Sequence, residues 1–374
     1  MKIENFIKII NSKFYTGVPD SQLKPLCNYL IDRYGIDYKH HIIAANEGNA
    51  VALAAGYYLS TKKIPVVYLQ NSGLGNIVNP VASLINDKVY AIPVIFVIGW
   101  RGEPNIKDEP QHLFQGEITE KLLKDLNIDY FIISSETSDK EVEQAKIKFN
   151  NIVNKGKSVA FLVKKGALSF DKNLLYRNLH KITREEIIKY ILKFSKKSPV
   201  ISTTGKTSRE LFEIRIINNQ EHKYDFLTVG SMGHCSSVAL SIALNKPKTK
   251  IWCIDGDGSA LMHMGAMSII GAGNPKNLVH VVINNCSHES VGGMPTVAEK
   301  ISFTKIAYGC GYKKIIRISS VKDINEKLHQ AELSKELTFV EILSAIGSRS
   351  NLGRPTFSPI ENKKIFMKYI NGIK

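Results

Sequence analysis

Lys250-Ile251-Trp252-Cys253-Ile254-Asp255-Gly256-Asp257-Gly258-Ser259 and, further on, Leu278-Val279-His280-Val281-Val282-Ile283-Asn284-Asn285 are the segments on which the reading of this chain turns. The first is an apolar run that stops at Gly256-Asp257-Gly258-Ser259 and passes into a helical pattern, Ala260–Gly271. The second is a run of strand character that ends in paired asparagines. Both read as buried strands of a parallel sheet, and adjacent strands of such a sheet end together at its carboxyl edge, where ligands bind. Asp257 and Asn285 can therefore meet. A carboxylate and an amide oxygen suit a hard Mg²⁺ ion, which takes few protein ligands and completes its shell with phosphate oxygens. Amides at the helix start after Gly258 can hold those phosphates.

Working outward, the same short apolar runs recur at Ile64–Leu69, Ala91–Ile98, Ser158–Val163, Pro199–Ser202 and Leu337–Leu343. Helical patterns such as Asn46–Leu59 lie between them. Strands alternating with helices predict an α/β fold. Leu168–Leu179 is polar and irregular, and Thr183-Arg184-Glu185-Glu186 has the spacing of a capping box that opens a new helix. The expectation is two similar domains, residues 1–170 and 183–374, joined by a linker at 171–182. Each is a mostly parallel sheet flanked by helices.

The chain has 374 residues, 44% of them hydrophobic and 22% charged, an ordinary balance for a globular protein. The apolar run Val89–Trp100 falls short of the ~20 residues a membrane span needs. Met1-Lys2-Ile3-Glu4-Asn5 carries an acid and opens no apolar core of signal-peptide type. A cytoplasmic location is expected, with no membrane partner. Five scattered cysteines without a C-x-x-C pair argue against a disulfide framework or a structural zinc site. The net charge of +16 leaves open nucleic acid, an acidic membrane or small anions as partners. No basic block is present, so a nucleic-acid-binding protein is the weaker reading. Val200–Thr207 ends like a P-loop but has Val200 where that loop needs glycine, and Gly256–Leu261 lacks the last glycine of a dinucleotide fingerprint.

The Gly256-Asp257-Gly258 and Asn284-Asn285 pair resembles the signature of thiamine-diphosphate enzymes. The resemblance implies a metal site of Asp257, Asn285 and the backbone carbonyl of Ser287. It also implies a pyrimidine-binding domain (1–170) and a diphosphate- and Mg²⁺-binding domain (183–374). Asn46-Glu47-Gly48-Asn49-Ala50, at the start of an alanine-rich helix, supplies the other half of the signature. Alone, Glu47 would be read as an acid at a helix N-terminus. In this enzyme group a glutamate there contacts the aminopyrimidine ring and promotes the tautomer that activates the cofactor. Gly205, Thr207, Gly230, Ser231, Gly258 and Ser259 are implied as diphosphate contacts. Met232, otherwise an ordinary core methionine, matches the bulky apolar residue beneath the cofactor.

Gly17-Val18-Pro19-Asp20-Ser21, Lys107–His112, Thr204–Glu210, His288–Gly293 and the tail Gly347–Pro355 narrow the resemblance to phosphonopyruvate decarboxylases. It covers about residues 14 to 364 and leaves no room for a central third domain. It implies a lyase that uses thiamine diphosphate and Mg²⁺ to convert phosphonopyruvate to phosphonoacetaldehyde and CO₂ in phosphonate biosynthesis. Sulfopyruvate or another small anionic 2-oxo acid is the alternative substrate. Asp20 and His112 match acid–base positions, although the first could merely stabilise a turn and the second be structural. Arg101, Lys107 and His288 are candidates for the phosphonate. Met294 stands where glutamine is expected, and Ser287 where a smaller residue is. The group's sites lie between subunits, so a homo-oligomer, a dimer or higher, is implied.

Overall fold

The computed structural model describes residues 1–372. The chain divides into two compact units, Met1–Leu175 and the remainder from Tyr176 onward. Residues 170–183 carry neither helix nor strand.

The first unit is built on six parallel strands: β1 (Tyr15–Gly17), β2 (His41–Ile43), β3 (Val66–Gln70), β4 (Ile95–Gly99), β5 (Asp129–Ile133) and β6 (Val159–Val163). Their order is β2-β1-β3-β4-β6-β5. The central strands are buried on both faces, which explains their unbroken apolar sequence. Helix Glu47–Thr61 packs Ala50, Val51, Ala54 and Ala55 into the core with Val67, Leu69, Phe96 and Ile98. Its N-cap is Asn46, whose side chain accepts from the Asn49 N–H at 2.9 Å. The run Ala91–Ile98 is a strand only from Ile95, because Ala91 sits at φ 51° and Pro93 has no N–H to give to a ladder.

The second unit carries β7 (Val200–Ser202), β8 (Asp225–Leu227), β9 (Ile251–Gly256), β10 (Leu278–Asn284), a small antiparallel ribbon β11 (Ser287–His288) and β12 (Met294–Pro295), β13 (Lys314–Ile318) and β14 (Thr338–Leu343). Its main sheet is parallel, in the order β13-β14-β10-β9-β7-β8. Alternation along β9 feeds two cores. Trp252 and Ile254 pack with Ile187 and Ile191 on one face, Ile251 and Cys253 with Phe339 and Phe366 on the other. Helix Arg184–Ser195 opens on the expected capping box: the Glu186 N–H donates to Thr183 Oγ1 (3.2 Å) and the Thr183 N–H to the Glu186 carboxylate (2.9 Å).

The structure corrects the sequence reading in two places. The expected helix Ala260–Gly271 is two helices, Asp257–Met262 and Gly265–Gly273. The break falls at His263 (φ −130°, ψ 49°), whose ring packs on His234 with centroids 4.2 Å apart. Strands β1, β5, β8 and β13 lie outside the apolar runs that the sequence singles out. β1 and β8 are three residues long, and β5 and β13, like β8, lie at sheet edges. Among the described residues no helix is long and apolar enough to cross a membrane.

Candidate active site

In the second unit, β9 and β10 are paired neighbours with Ile283 opposite Gly256. Asp257 and Asn285 thus leave the sheet side by side. Asp257 opens its short helix with only 3% of its surface exposed, and its Oδ2 accepts from Thr296 Oγ1 at 2.6 Å. Burial pushes its carboxyl up to about 7, against the pull of Thr296 and the backbone N–H groups of Gly258 and Asn285. Asn284 is tied to β14 through Glu341 (2.9 Å), while the Asn285 amide nitrogen donates to Glu289 (2.8 Å). Cys286 then takes a left-handed conformation, φ 58°, and turns the chain toward Ser287.

This donor set fits a hard cation. A buried carboxyl held above its ordinary range gains by acquiring a positive neighbour. Asn285, one position beyond the β10 strand that pairs with β9, adds an amide, and oxygen donors of this kind suit a hard cation.

The loops around this edge converge. A Cβ on Gly258 would stand 3.1 Å from the His288 ring and 3.3 Å from the Met232 methyl, a tight fit that places both side chains against this glycine. Ser259 Oγ accepts from Thr203 Oγ1 (2.9 Å) and from the Gly233 N–H (3.0 Å), joining the ends of β7 and β9 to the loop after β8. Gly205, at φ 83°, precedes helix Lys206–Ile217, in whose first turn Thr207 is buried. Thr204 Oγ1 donates to the Val229 carbonyl at 2.6 Å, next to Gly230 and Ser231. The result is a cradle of small residues at one sheet edge, of the kind a diphosphate fills. Burial pushes the His288 imidazole down to about 4, so it is neutral at pH 7. Met294, paired with His288 across the β11–β12 ribbon, is completely buried. It serves the core, not a surface contact.

In the first unit Asp20, Glu47 and Arg101 follow β1, β2 and β4 at the carboxyl edge of the sheet. Glu47 is 5% exposed, and burial raises its carboxyl above the usual range. Asn76 Nδ2 donates to it at 2.7 Å. A Cβ on Gly73 would run into the Glu47 carboxyl group. Asp20 is fully buried and likewise raised by burial. It accepts from Gln70 Nε2 and from the N–H groups of Gln22 (3.1 Å) and Leu23 (3.2 Å). Gly99 leaves room for this carboxylate. Arg101 forks onto Asp108 and reaches Ser21 Oγ at 3.1 Å. His112 has a buried Nδ1 without a partner, and burial beside Arg101 pushes its imidazole down to about 4. Arg101 and exposed Lys107 line one cavity of about 500 Å³ with Lys24, Lys165, Glu103 and Asp108. His288 belongs to the second unit.

Comparison with known proteins matches both halves. Residues 4–128 match the N-terminal TPP binding domain of thiamine pyrophosphate enzymes, and residues 203–342 their C-terminal TPP binding domain. A phosphonopyruvate decarboxylase of Streptomyces viridochromogenes is 31% identical over 95% of this chain and 90% of its own length. The chain belongs to the phosphonopyruvate decarboxylase family of thiamine pyrophosphate enzymes. Another phosphonopyruvate decarboxylase, from Streptomyces hygroscopicus, is 30% identical over 94% of this chain and 89% of its own length. A sulfopyruvate decarboxylase of Methanosarcina acetivorans is 26% identical over 87% of both chains.

For this family member the sequence reading passes over Gly73, Asn76, Gln70, Asp108, Thr296 and Glu289, all of which touch a candidate residue. Each lies outside the short motifs or carries no signal of its own. Asp108 and Glu289 sit inside quoted segments but look like solvated loop acids.

Proposed function

We propose that the protein is a thiamine-diphosphate- and Mg²⁺-dependent decarboxylase of phosphonopyruvate, releasing phosphonoacetaldehyde and CO₂ as a step in phosphonate biosynthesis. Asp257, Asn285 and the Ser287 carbonyl would hold Mg²⁺. Gly205, Thr207, Gly230, Ser231, Gly258 and Ser259 would cradle the diphosphate, with Met232 against the cofactor. Bound thiamine diphosphate supplies the electron sink that lets a 2-oxo acid lose CO₂.

The chain's own residues do the rest. Glu47, raised by burial and held by Asn76, is suited to share a proton with the aminopyrimidine ring. Asp20, raised by burial, can carry a proton as a neutral acid, and His112 stays a neutral imidazole able to relay one. Arg101 has five N–H groups, of which Asp108 and Ser21 take three. The remaining two can bind an anion while Asp108 fixes the fork. Lys107 at the cavity rim adds charge, and His288 would contribute as a neutral donor.

The observation that carries the substrate reading is the cavity itself, where four cations face two carboxylates. The net charge of +16 would steer a multiply charged anion inward. A cytoplasmic homo-oligomer, a dimer or higher, belongs to the same reading and is checked by sedimentation. The deciding experiment supplies thiamine diphosphate, Mg²⁺ and a panel of 3-substituted pyruvates. We expect kcat/KM to fall from phosphonopyruvate to sulfopyruvate to pyruvate. Arg101→Gln should damage phosphonopyruvate turnover at least tenfold more than pyruvate turnover. A preference for pyruvate would overturn the substrate reading and leave the cofactor reading standing.

A further inference from the structure

Glu289 collects donors from four separate parts of the second unit. Arg184, at the start of its helix, donates at 3.0 and 3.3 Å, and Lys206 at 3.1 Å. The Gly347 N–H, from the tail after β14, donates at 3.2 Å, and Asn285 Nδ2 at 2.8 Å. Arg184 is itself locked by two 2.7 Å bonds that it donates to the Glu210 carboxylate. The side chains of Arg184 and Glu289 are each 8% exposed. A carboxylate offers about four lone-pair sites, so this one is saturated and cannot turn. The tail segment is pinned in its turn, Arg349 to Glu185 at 2.7 Å and to Glu213.

We propose that Glu289 is a positioning residue for the cation site: by accepting from Asn285 Nδ2 it dictates which end of that amide faces Asp257. The inference rests on the proposed metal role of Asp257, Asn285 and Ser287. An asparagine amide can turn over and exchange its oxygen for an N–H, which repels a cation. With the nitrogen held by Glu289, Oδ1 is the free end. It accepts one bond, from the Ser287 N–H at 3.1 Å, and keeps a second lone pair for a metal. The ion pairs of Arg184 and Lys206 keep the latch charged and rigid, and the Gly347 tail ties it to the end of β14. The family-like tail motif thereby acquires a task, although it lies 62 residues beyond Asn285.

The test measures Mn²⁺ binding to the full-length protein with thiamine diphosphate present, from the electron paramagnetic resonance signal of free Mn²⁺. Glu289→Gln keeps the shape but has one oxygen where two served Arg184, Lys206, Gly347 and Asn285, so an N–H must face some of these donors and the latch on Asn285 loosens. We expect its Mn²⁺ affinity to fall at least tenfold, with thiamine-diphosphate affinity restored by excess metal. The double variant Asn285→Asp with Glu289→Gln reverses donor and acceptor and keeps the charge of the pair. It should bind Mn²⁺ at least fivefold more tightly than Asn285→Asp alone, and this comparison carries the test if Glu289→Gln does not fold. Mn²⁺ affinity within twofold of wild type in folded Glu289→Gln, or no gain in the double variant, would overturn the proposal. Asp257→Asn separates the two readings. It should lose Mn²⁺ binding; if it keeps it, the cation site itself falls, and Glu289's role with it.

Discussion

Glu47 shows how much a single side chain depends on its immediate surroundings. Its carboxyl is raised because burial penalises the charge more than Asn76 relieves it. In the unfolded chain it would titrate near ~4.3. The folded state therefore binds this proton more readily, and stability falls as pH rises from that value through the raised one. Glu47→Gln removes the penalty. The cofactor-free variant should melt above wild type near pH 8, and the difference should close as pH is lowered toward 4. The same variant should bind thiamine diphosphate but exchange its thiazolium C2 proton for deuterium on the order of 100-fold more slowly, the scale of a lost general acid–base group. Exchange at the wild-type rate would remove Glu47 from the mechanism. Gly73→Ala is a steric route to the same defect, since its Cβ would lie 2.6 Å from Glu47 Cγ and Cδ. It should slow the exchange while every titratable group is retained.

Among the elements, helix Pro110–Asp125 carries His112 in its first turn and is held close to the segment after β4. Two glycines permit this. A Cβ on Gly116 would overlap the Gly102 carbonyl, and the Trp100 indole N–H donates to the Gly116 carbonyl at 3.1 Å. Gly116→Ala must push the helix outward. Overpacking of this kind costs ~1–3 kcal/mol, which urea titration would register. Because the helix moves with His112, kcat should fall more than cofactor affinity does. Helix Lys206–Ile217 is anchored differently. Arg215, fully buried, pairs with Asp225 of β8 at 2.7 and 2.9 Å. Arg215→Met would strand a buried carboxylate, and losses of about 3–5 kcal/mol are usual when one partner of such a pair is removed. A smaller loss in denaturant titration would mean that water reaches Asp225.

At the scale of the whole chain, the charge of +16 acts on substrates before they touch the protein. Screening shortens the reach of that field from ~30 Å at 0.01 M salt to ~3 Å at 1 M. A multiply charged 3-phosphono acid should feel this more than pyruvate. The kcat/KM for phosphonopyruvate is expected to drop severalfold between 0.02 and 0.5 M salt, roughly the range over which steering is lost, with little change for pyruvate. Parallel salt curves for the two would show that the surface charge has no part in capture.

The plan of two parallel α/β sheets flanked by helices, the capping box at Thr183, the convergence of Asp257 with Asn285 and the helix-starting Glu47 were all legible in the chain. Each rests on neighbours in sequence: an apolar run sets a strand, a glycine-rich break ends it, and parallel pairing brings consecutive strand ends together. The edge strands β5 and β13 were not, because few of their residues are buried, and β1 and β8 were not, because three residues are too short to leave a pattern. The partners of the candidate residues also stayed hidden. Asn76 reaches Glu47 across 29 positions, Thr296 reaches Asp257 across 39, and Arg184 reaches Glu289 across 105. Asp108 takes up much of Arg101, which its own segment presents as a free cation. A local run of residues determines which backbone shape forms and which side chains stand at its end. Which donor satisfies a buried carboxylate depends on distance in space, and only the packed sheets and the loops between them decide that.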